Sequence, residues 1–564
     1  MADRNHWVEE ILARRVSRRG FIARAGLAVG VPPVLMATLE ACNTASSSSA
    51  SASSSAVTDT LLIAVQAGDL RTLDPQDASE LSTPLFLRGL YDQVTYWPGS
   101  TFSQNMPDAA VNWNVSADGL TWVFNLNPKI RFGDGTTLAP EDVAFSLLRL
   151  KNLDGPVAWF AGNVASADVT GPHQVTMKLS VIDVSTLYWL TSPFVSIGRA
   201  SVMQAHGAND STTASTTDTA RTWLNNNSVG SGPFILDEWV VGSTITMHRN
   251  PYYWGAKPQF SHIVFELTAD ANTQRDMLER GDAHIAINLT PQLAASVSGN
   301  KDIKVVTVPS EGFPWLGLNV KNNPALSNPN NWLAIRNAID YQALAKIYLN
   351  GGRPAAGIIP QGMAHALPVT DSTVWTAKNV AKAQAALAAA GNPSGFSFKM
   401  SYATDQYYSS VLSDDVAQRV ASDLKAVGIN ATLNPLPAPE ESTNFRAGIL
   451  EASIHVWGAD YLGWTDFLPN FCPGGNVADH RQAWEPSFDS ISAQIANLTT
   501  EATQTTDNSK QESLCIQAQQ LMNQHSPMVE LFEMASLIGY RTDIIKSLNT
   551  NPVSYIEVDS VVLQ

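Results

Sequence analysis

Apolar and polar residues alternate in several short segments of the chain, a pattern that predicts β-strands with one buried face. Residues 120–126 alternate in this way, and residues 61–65 form an apolar run that ends in polar, turn-forming residues. A proline followed by Glu141 and Asp142 is typical of the first turn of a helix, which residues 143–150 continue. Residues 208–222 are rich in Ser, Thr and Asp, and they predict a surface loop.

Strands and helices follow one another with short joins further along the chain. A strand at 263–267, a helix at 272–280 that ends at Gly281, and a strand at 285–289 form one β-α-β unit. A helix with apolar residues every fourth position (412–424) is followed by strands at 429–433 and 454–457. This alternation predicts an α/β fold with several lobes and mixed sheets.

The first 57 residues predict an export signal, a lipid-attachment cysteine and a tether. Residues 1–41 carry paired arginines, Arg18 and Arg19, before a mildly apolar run broken by Gly and Pro, which is typical of a twin-arginine-type address. Cys42 ends a sequence that looks like a bacterial lipobox, although Glu40 departs from the small residue usual there. Residues 42–57, mostly Ser and Ala, suit a spacer. The alternative is an ordinary secretory signal with an unmodified cysteine.

Composition narrows the class of protein. The 564 residues exceed the size of one core, so two or three lobes are expected. A formal charge of −16 without a basic stripe argues against a nucleic-acid partner. After Cys42 no apolar run is long enough to span a membrane, so the only predicted membrane contact is the lipid.

Two cysteines remain once Cys42 is assigned to lipid. Cys472 and Cys515 form an even pair that could make a disulfide in an oxidising compartment. Cys515 also lies in a segment with helical apolar spacing, residues 511–524, and the alternative is a buried free thiol.

Catalytic and metal-binding motifs are missing from the sequence. It contains no His-Glu-x-x-His, no dense His/Cys cluster, no Gly-x-Ser-x-Gly and no phosphate-binding Gly-x-x-x-x-Gly-Lys-Ser/Thr. We therefore expect neither an enzyme nor a metal or other cofactor.

Four segments together resemble the extracellular solute-binding proteins of family 5, the oligopeptide, dipeptide and nickel class of ABC importers. They cover nearly the whole chain after the tether. Their matching residues are Met106-Pro107-Asp108 through Asp142-Val143, Gly230–Phe234 with Arg249–Gly255, Asn319 with Ile335–Asp340, and Trp457–Tyr461 with Pro527–Phe532.

The resemblance implies a three-lobed, periplasmic-binding-protein-like fold with a ligand cleft between lobes I and III. Lobe I would comprise residues 58–95, 221–313 and 525–564, lobe II residues 96–220, and lobe III residues 314–524. Hinge closure over the ligand would be the signal read by a membrane permease.

Asp460 is the leading candidate for a ligand contact. In peptide-binding members, an acid at the matching point pairs with the peptide's α-ammonium, and here it follows a strand end, where α/β sheets place ligand contacts. The alternative is a loop cap or a partner of a nearby arginine. Asp69 and Leu70 follow the first strand and could face the cleft. The other candidate ligand-binding residues are mostly aromatic: Trp457, Trp464, Trp315, Asn319, Phe313, Tyr461 and Arg71.

The resulting hypothesis is an extracytoplasmic substrate-binding component of an ABC importer, held on the outer face of the membrane or periplasmic. It would be a monomer that captures an oligopeptide or dipeptide and delivers it to a permease and its ATPase. An oligosaccharide is the alternative ligand within the family. A secreted hydrolase and a peptide receptor remain the alternatives outside it.

Overall fold

The computed structural model describes residues 59–97, 106–309, 312–347, 352–404, 407–408 and 411–564. These residues belong to one compact unit, Asp59–Gln564. The predicted export signal, Cys42 and the tether lie outside the described residues, so those predictions stay predictions.

A seven-stranded mixed sheet contains the first strand of the unit at its centre. Thr60–Val65 runs parallel to His262–Leu267 on one side and to Ile285–Ala286 on the other. The order of its strands across the sheet is Ile303–Pro309, Ala535–Arg541, Ile285–Ala286, Thr60–Val65, His262–Leu267, Thr244–Arg249 and Phe234–Val240. The predicted β-α-β unit is therefore confirmed in type, but an earlier strand lies between its two strands, and the second strand is shorter than expected.

A separate four-stranded antiparallel sheet contains the alternating segment. Thr121–Leu126 lies between two neighbours, and its inward residues, among them Phe124, are buried. The order is Ala110–Val115, Thr121–Leu126, Gln174–Leu179 and Val164–Gly171.

The third large sheet has five strands and mixed directions. Its order is Asn430–Pro437, Ser397–Thr404, Ala452–Trp457, Phe313–Leu318 and Met528–Glu530. All six residues of Phe313–Leu318 are buried.

Helices cover these sheets, and short strand pairs complete the fold. The helices are Thr83–Leu90, Pro140–Asn152, Thr186–Trp189, Ala200–Ala205, Ala214–Thr217, Arg221–Leu224, Ala271–Arg280, Pro291–Val297, Pro329–Ala338, Tyr341–Lys346, Val380–Ala389, Ser413–Lys425, Ala438–Arg446, Leu468–Phe471, Ser490–Thr503 and Asn508–Gln524. The two-stranded pairs are Thr95–Tyr96 with Met106–Pro107, Tyr407–Tyr408 with Val411–Leu412, Ile545–Ser547 with Val562–Leu563, and Thr550–Asn551 with Tyr555–Ile556.

The chain crosses between the seven-stranded and five-stranded sheets twice. It leaves the first after Pro309 and enters the second at Phe313, then returns between Glu530 and Ala535. The last segment of lobe I was expected to begin at residue 525. Met528–Glu530, however, pairs with Phe313–Leu318 of the five-stranded sheet. If each lobe is defined by its sheet, this segment of lobe I begins after Glu530. For the same reason Phe313, expected at the end of lobe I, belongs with the five-stranded sheet.

Buried apolar residues form two large clusters. One joins the seven-stranded and four-stranded sheets, and the other surrounds the five-stranded sheet. Cys472 and Cys515 are free thiols in the second cluster, not a bridge. Cys515 packs on the inner face of Asn508–Gln524, which is the alternative that its helical spacing left open.

A buried ion-pair network ties the helix Pro140–Asn152 to the segment after the first strand. Arg149, fully buried, donates from Nη1 and Nη2 to Asp74 at 2.8 and 2.7 Å and from Nε to Asp218 at 2.7 Å. The planar guanidinium satisfies both carboxylates at once, which offsets the cost of removing the charges from water.

None of the helices in the described ranges is long and apolar enough to cross a membrane.

Candidate functional site

A cavity of about 640 Å³ lies between the seven-stranded and five-stranded sheets. One wall comes from the segment 66–84 after the first strand and from the turn 552–555. The opposite wall comes from the start of the helix Ala438–Arg446 and from residues 456–460 at the end of the strand Ala452–Trp457. Phe194, which follows the last strand of the four-stranded sheet in the sequence, also lines the cavity.

Gly458, on one wall, lies close to Leu81 on the opposite wall. A Cβ on this glycine would lie 2.5 Å from Cδ2 of Leu81, which is closer than carbon atoms can pack. Gly458 therefore allows the strand-end loop to reach the opposite wall, and the loop turns there to bring Asp460 onto the cavity surface.

Asp460 is held through its backbone rather than its side chain. Its N–H donates to Oδ2 of Asp466 at 2.8 Å, and its carbonyl accepts from Oγ of Ser192 at 2.8 Å. Within the described residues, its carboxylate has neither a hydrogen bond nor an ion pair, and it lines the cavity. Asp460 therefore lies on the cavity wall. Of the two alternatives, no side-chain hydrogen bond of Asp460 within the described residues supports a loop cap, whereas Arg481 is a nearby arginine whose charge acts on Asp460.

Burial away from bulk water raises the pKa of Asp460 to about 7, although the positive charge of Arg481 acts in the opposite direction. Arg481 is itself largely buried, with its guanidinium over the rings of Phe445 and Trp457. Desolvation and the nearby Arg446 lower the pKa of Arg481 to about 10. Arg481 thus compensates the carboxyl of Asp460 only in part and without a direct ion pair, and ionisation of Asp460 becomes more favourable when a further cation approaches.

Asp466 supports the loop from beneath. It is fully buried, and its Oδ1 has no hydrogen-bond partner among the described residues. Desolvation, followed by the charge of Asp460, raises the pKa of Asp466 well above its usual value. Two neighbouring carboxyls in a dry site do not ionise easily together, which further favours a cationic ligand at Asp460.

The opposite wall carries Arg71, Glu80 and Asp69. Arg71, whose side chain is 46% exposed, pairs through Nε with Oε1 of Glu80 at 2.6 Å and donates from Nη2 to the carbonyl of Asp77 at 3.1 Å. Arg71 is therefore at the cavity as predicted, but Glu80 already balances its charge. Asp69 accepts the N–H of Ser82 at 3.2 Å, and desolvation raises its pKa although hydrogen bonds from Ser82 act in the opposite direction.

The aromatic candidates occupy the core instead of the cavity wall. Trp315 and Phe313 lie on a strand with neighbours on both edges and packing on both faces, so even the outward-alternating residue is covered. Trp464 is buried against His365, and Trp457 packs on Phe471. Trp315, Trp464 and Phe313 therefore do not line the cavity, and Trp457 is partly buried beneath Arg481.

Tyr461 and Asn319 also make contacts that hold the fold together. The ring of Tyr461 packs edge-on against Phe160, 5.3 Å between centroids, and links the Asp460 loop to the four-stranded sheet's cluster. Asn319 uses both ends of its amide on backbone groups, including the carbonyls of Gly448 and Arg481 at 3.1 Å. Neither lines the cavity as the described residues define it.

Several wall residues were not among the sequence candidates. Glu80, Ser442, Phe194 and Tyr555 reach the cavity from four separate segments. Tyr555 has a left-handed backbone, φ 64°, which is uncommon outside glycine and places strain beside the site. No sequence motif marks any of them, because their proximity arises only from the packing of distant segments.

The described part of the chain contains no group of three or more His, Cys, Asp or Glu side chains that could hold a metal ion.

Comparisons with known proteins place the chain among solute-binding proteins. The family model described as bacterial extracellular solute-binding proteins, family 5 Middle, matches residues 104–479. A probable D,D-dipeptide-binding periplasmic protein of Escherichia coli is 32% identical over 55% of this chain and 59% of its own. A glutathione-binding protein of Shigella dysenteriae is 26% identical over 92% of this chain and 94% of its own.

Solved structures share the fold. A dipeptide-binding protein of a Pseudoalteromonas species in complex with Met-Leu superposes with a TM-score of 0.76 at 18% identity, covering 90% of this chain and 100% of that one. A periplasmic binding protein of Helicobacter pylori in complex with the peptide STSA gives 0.73 at 20% identity, covering 89% and 98%.

Proposed function

The chain belongs to family 5 of the bacterial extracellular solute-binding proteins, and from this premise we propose that its cavity captures a short peptide through the peptide's free amino terminus. The family consists of solute receptors outside the cytoplasm rather than enzymes, and this chain shares that role. The proposal concerns which solute it takes and how.

The observation that carries the proposal is the unpaired carboxyl of Asp460 on the cavity wall. A peptide ammonium would supply the missing positive charge and form a charge-assisted hydrogen bond in a site shielded from water. The same contact would lower the pKa of Asp460 and fix the carboxylate form.

The lining favours a peptide over an oligosaccharide. A sugar site uses broad aromatic faces, and the tryptophans expected for that purpose pack in the core. The wall offers carboxylates, an arginine and apolar residues such as Leu81 and Val456, which suit a charged backbone with apolar side chains. Two of the relatives compared above are named as binders of a D,D-dipeptide and of glutathione, which are both peptides.

Capture would proceed by closure of lobe III on lobe I, with lobe II attached to lobe I. The chain passes between the two larger sheets twice, between Pro309 and Phe313 and between Glu530 and Ala535. Two such connections would let the lobes rotate about them as a hinge. The hydrogen bond from Ser192 to the carbonyl of Asp460 would then hold the Asp460 loop against the segment that follows the four-stranded sheet in the sequence.

The cellular setting follows from the family and from the amino-terminal sequence. Family 5 binding proteins work with ABC permeases, so a permease and its ATPase are the proposed partners. We further propose twin-arginine-type export, attachment of a monomer through Cys42, and the Ser-rich tether as a spacer.

Mass spectrometry of ligand retained after gentle purification tests the proposal, followed by calorimetry with a dipeptide and its N-acetylated form. We expect the free peptide to bind and acetylation to weaken binding strongly. Equal affinity of the two forms would refute the ammonium contact. Retention of a sugar would favour the oligosaccharide alternative, and recovery of cleaved peptide would favour the hydrolase.

A further inference from the structure

The charges on the cavity wall do not balance for a simple dipeptide. Among the described residues that line it, Asp69, Glu80 and Asp460 are acidic, and Arg71 is the single basic residue. Glu80 holds Arg71 in an ion pair at 2.6 Å. Asp69 and Asp460 are left without a cation, on opposite walls of one enclosed space.

Asp69 is placed to receive a second positive charge. It follows the strand Thr60–Val65, is exposed to the open cavity and accepts the backbone N–H of Ser82 through Oδ2. That bond leaves Oδ1 available to a ligand. Closure of the cavity would remove the carboxylate from bulk water, which is costly unless a counter-charge arrives.

Tyr555 lies beside Asp69 on the same wall. Asp69 and Tyr555 both line the cavity. Burial, followed by the charge of Asp69, raises the pKa of Tyr555. The left-handed φ of 64° at Tyr555 is maintained by the pairing of Thr550–Asn551 with Tyr555–Ile556. A carboxylate beside an aromatic ring is a favourable environment for an alkylammonium or guanidinium, because the ring face attracts cations as well.

We propose that the cavity selects ligands with two positive charges, an amino-terminal ammonium at Asp460 and a basic side chain at Asp69 and Tyr555. The proposal rests on the peptide-binding function above and specifies its substrate class as peptides that contain lysine or arginine. Glu80 orients Arg71 and cancels its charge, so it keeps the wall from repelling such a ligand.

Calorimetry with three amidated dipeptides that differ only in the second side chain tests this proposal. Alanyl-lysinamide should bind about tenfold or more tightly than alanyl-norleucinamide, which has the same length without the charge, and alanyl-glutamamide with a free side-chain acid should bind weakest. Asp69→Asn keeps the acceptor for Ser82 and should reduce the lysine preference to about twofold, with the norleucine peptide little changed. The exposed Asp168, which pairs only with Ser166, provides the matched control Asp168→Asn, which should leave the preference intact.

Each outcome separates this inference from the function on which it rests. Equal binding of the lysine and norleucine peptides, or a lysine preference that survives Asp69→Asn, overturns the dicationic site but leaves peptide capture standing. The diamine cadaverine carries two ammonium groups and no peptide bond. If it binds in an Asp69-dependent manner while all three peptides fail, the dicationic site stands and peptide capture falls. If cadaverine and the peptides all fail, both proposals are refuted.

Discussion

At the scale of single residues, the site depends on carboxylates that have no ion-pair partner among the described residues. Asp460 and Asp69 face the cavity, whereas Arg71 is neutralised by Glu80. The sequence indicated Asp460, Asp69 and Arg71 because they follow strand ends. It could not separate them from Trp315, Trp464 or Phe313, because their burial depends on which strands flank Phe313–Leu318.

Asp460→Asn should weaken binding of a peptide with a free amino terminus by about 2 kcal/mol, roughly 30-fold, since the amide keeps the shape but loses the charge. Isothermal calorimetry measures this loss, and thermal unfolding confirms that the variant is folded. Asp168→Asn removes the same charge from the exposed face of the four-stranded sheet and should leave affinity unchanged. Unchanged affinity in Asp460→Asn would exclude this carboxylate from the site.

Peptide affinity should rise with pH between about 5.5 and 8. The pKa of Asp460 is about 7 without ligand, and a bound ammonium lowers it, so binding at lower pH must first expel a proton. The affinity gain is largest below the unliganded pKa, at most tenfold per pH unit from Asp460, and levels off above it. Above about pH 8 affinity should fall again, because the peptide's own α-ammonium loses its proton there. Asp69, whose pKa is also raised, acts in the same direction, while Arg481, with a pKa of about 10, stays charged over this range. A pH profile equally steep in Asp460→Asn would assign the proton to another group.

At the scale of secondary structure, local patterns predicted most elements where the sequence itself supplies their ends. The helix Ala271–Arg280 ends at Gly281 with φ 80°, a left-handed cap that glycine adopts without strain. The helix Ser413–Lys425 and the strand after Gly428 also match their predictions. The segment 208–222 was expected as a loop, yet it contains Ala214–Thr217 and Arg221–Leu224, because Asp218 is fixed by the distant Arg149.

Arg149→Leu should lower the free energy of unfolding by at least about 3 kcal/mol, since it leaves Asp74 and Asp218 buried without their cation. Denaturant unfolding at neutral pH measures the change. Arg275→Leu removes an arginine from the surface pair with Asp276 and should cost less than about 1 kcal/mol. Similar losses in the two variants would show that the buried network contributes no more than a surface pair.

At the scale of the whole molecule, three sheets and two crossings set the relation between the walls of the cavity. The family resemblance predicted three lobes, and the structure has a seven-, a four- and a five-stranded sheet. The sequence did not show at which residues lobe I ends and lobe III begins. Met528–Glu530 belongs to the five-stranded sheet because it pairs with Phe313–Leu318, a contact distant in the sequence.

Ligand binding should make the protein more compact if the two crossings act as a hinge. Small-angle scattering should show a smaller radius of gyration with a saturating peptide than without it. Asp460→Asn at the same peptide concentration should shift less, because less ligand is bound. An identical radius in both states of the unmodified protein would indicate that the lobes do not close.

The central position of Thr60–Val65 has a consequence for biosynthesis. This strand is made early, but both its neighbours, His262–Leu267 and Ile285–Ala286, follow about 200 residues later. At ribosomal speeds of roughly 5–20 residues per second, it waits for about 10–40 s before it can pair. During that interval an apolar segment has no sheet to enter, and the nascent chain depends on holding factors until the middle of the polypeptide arrives.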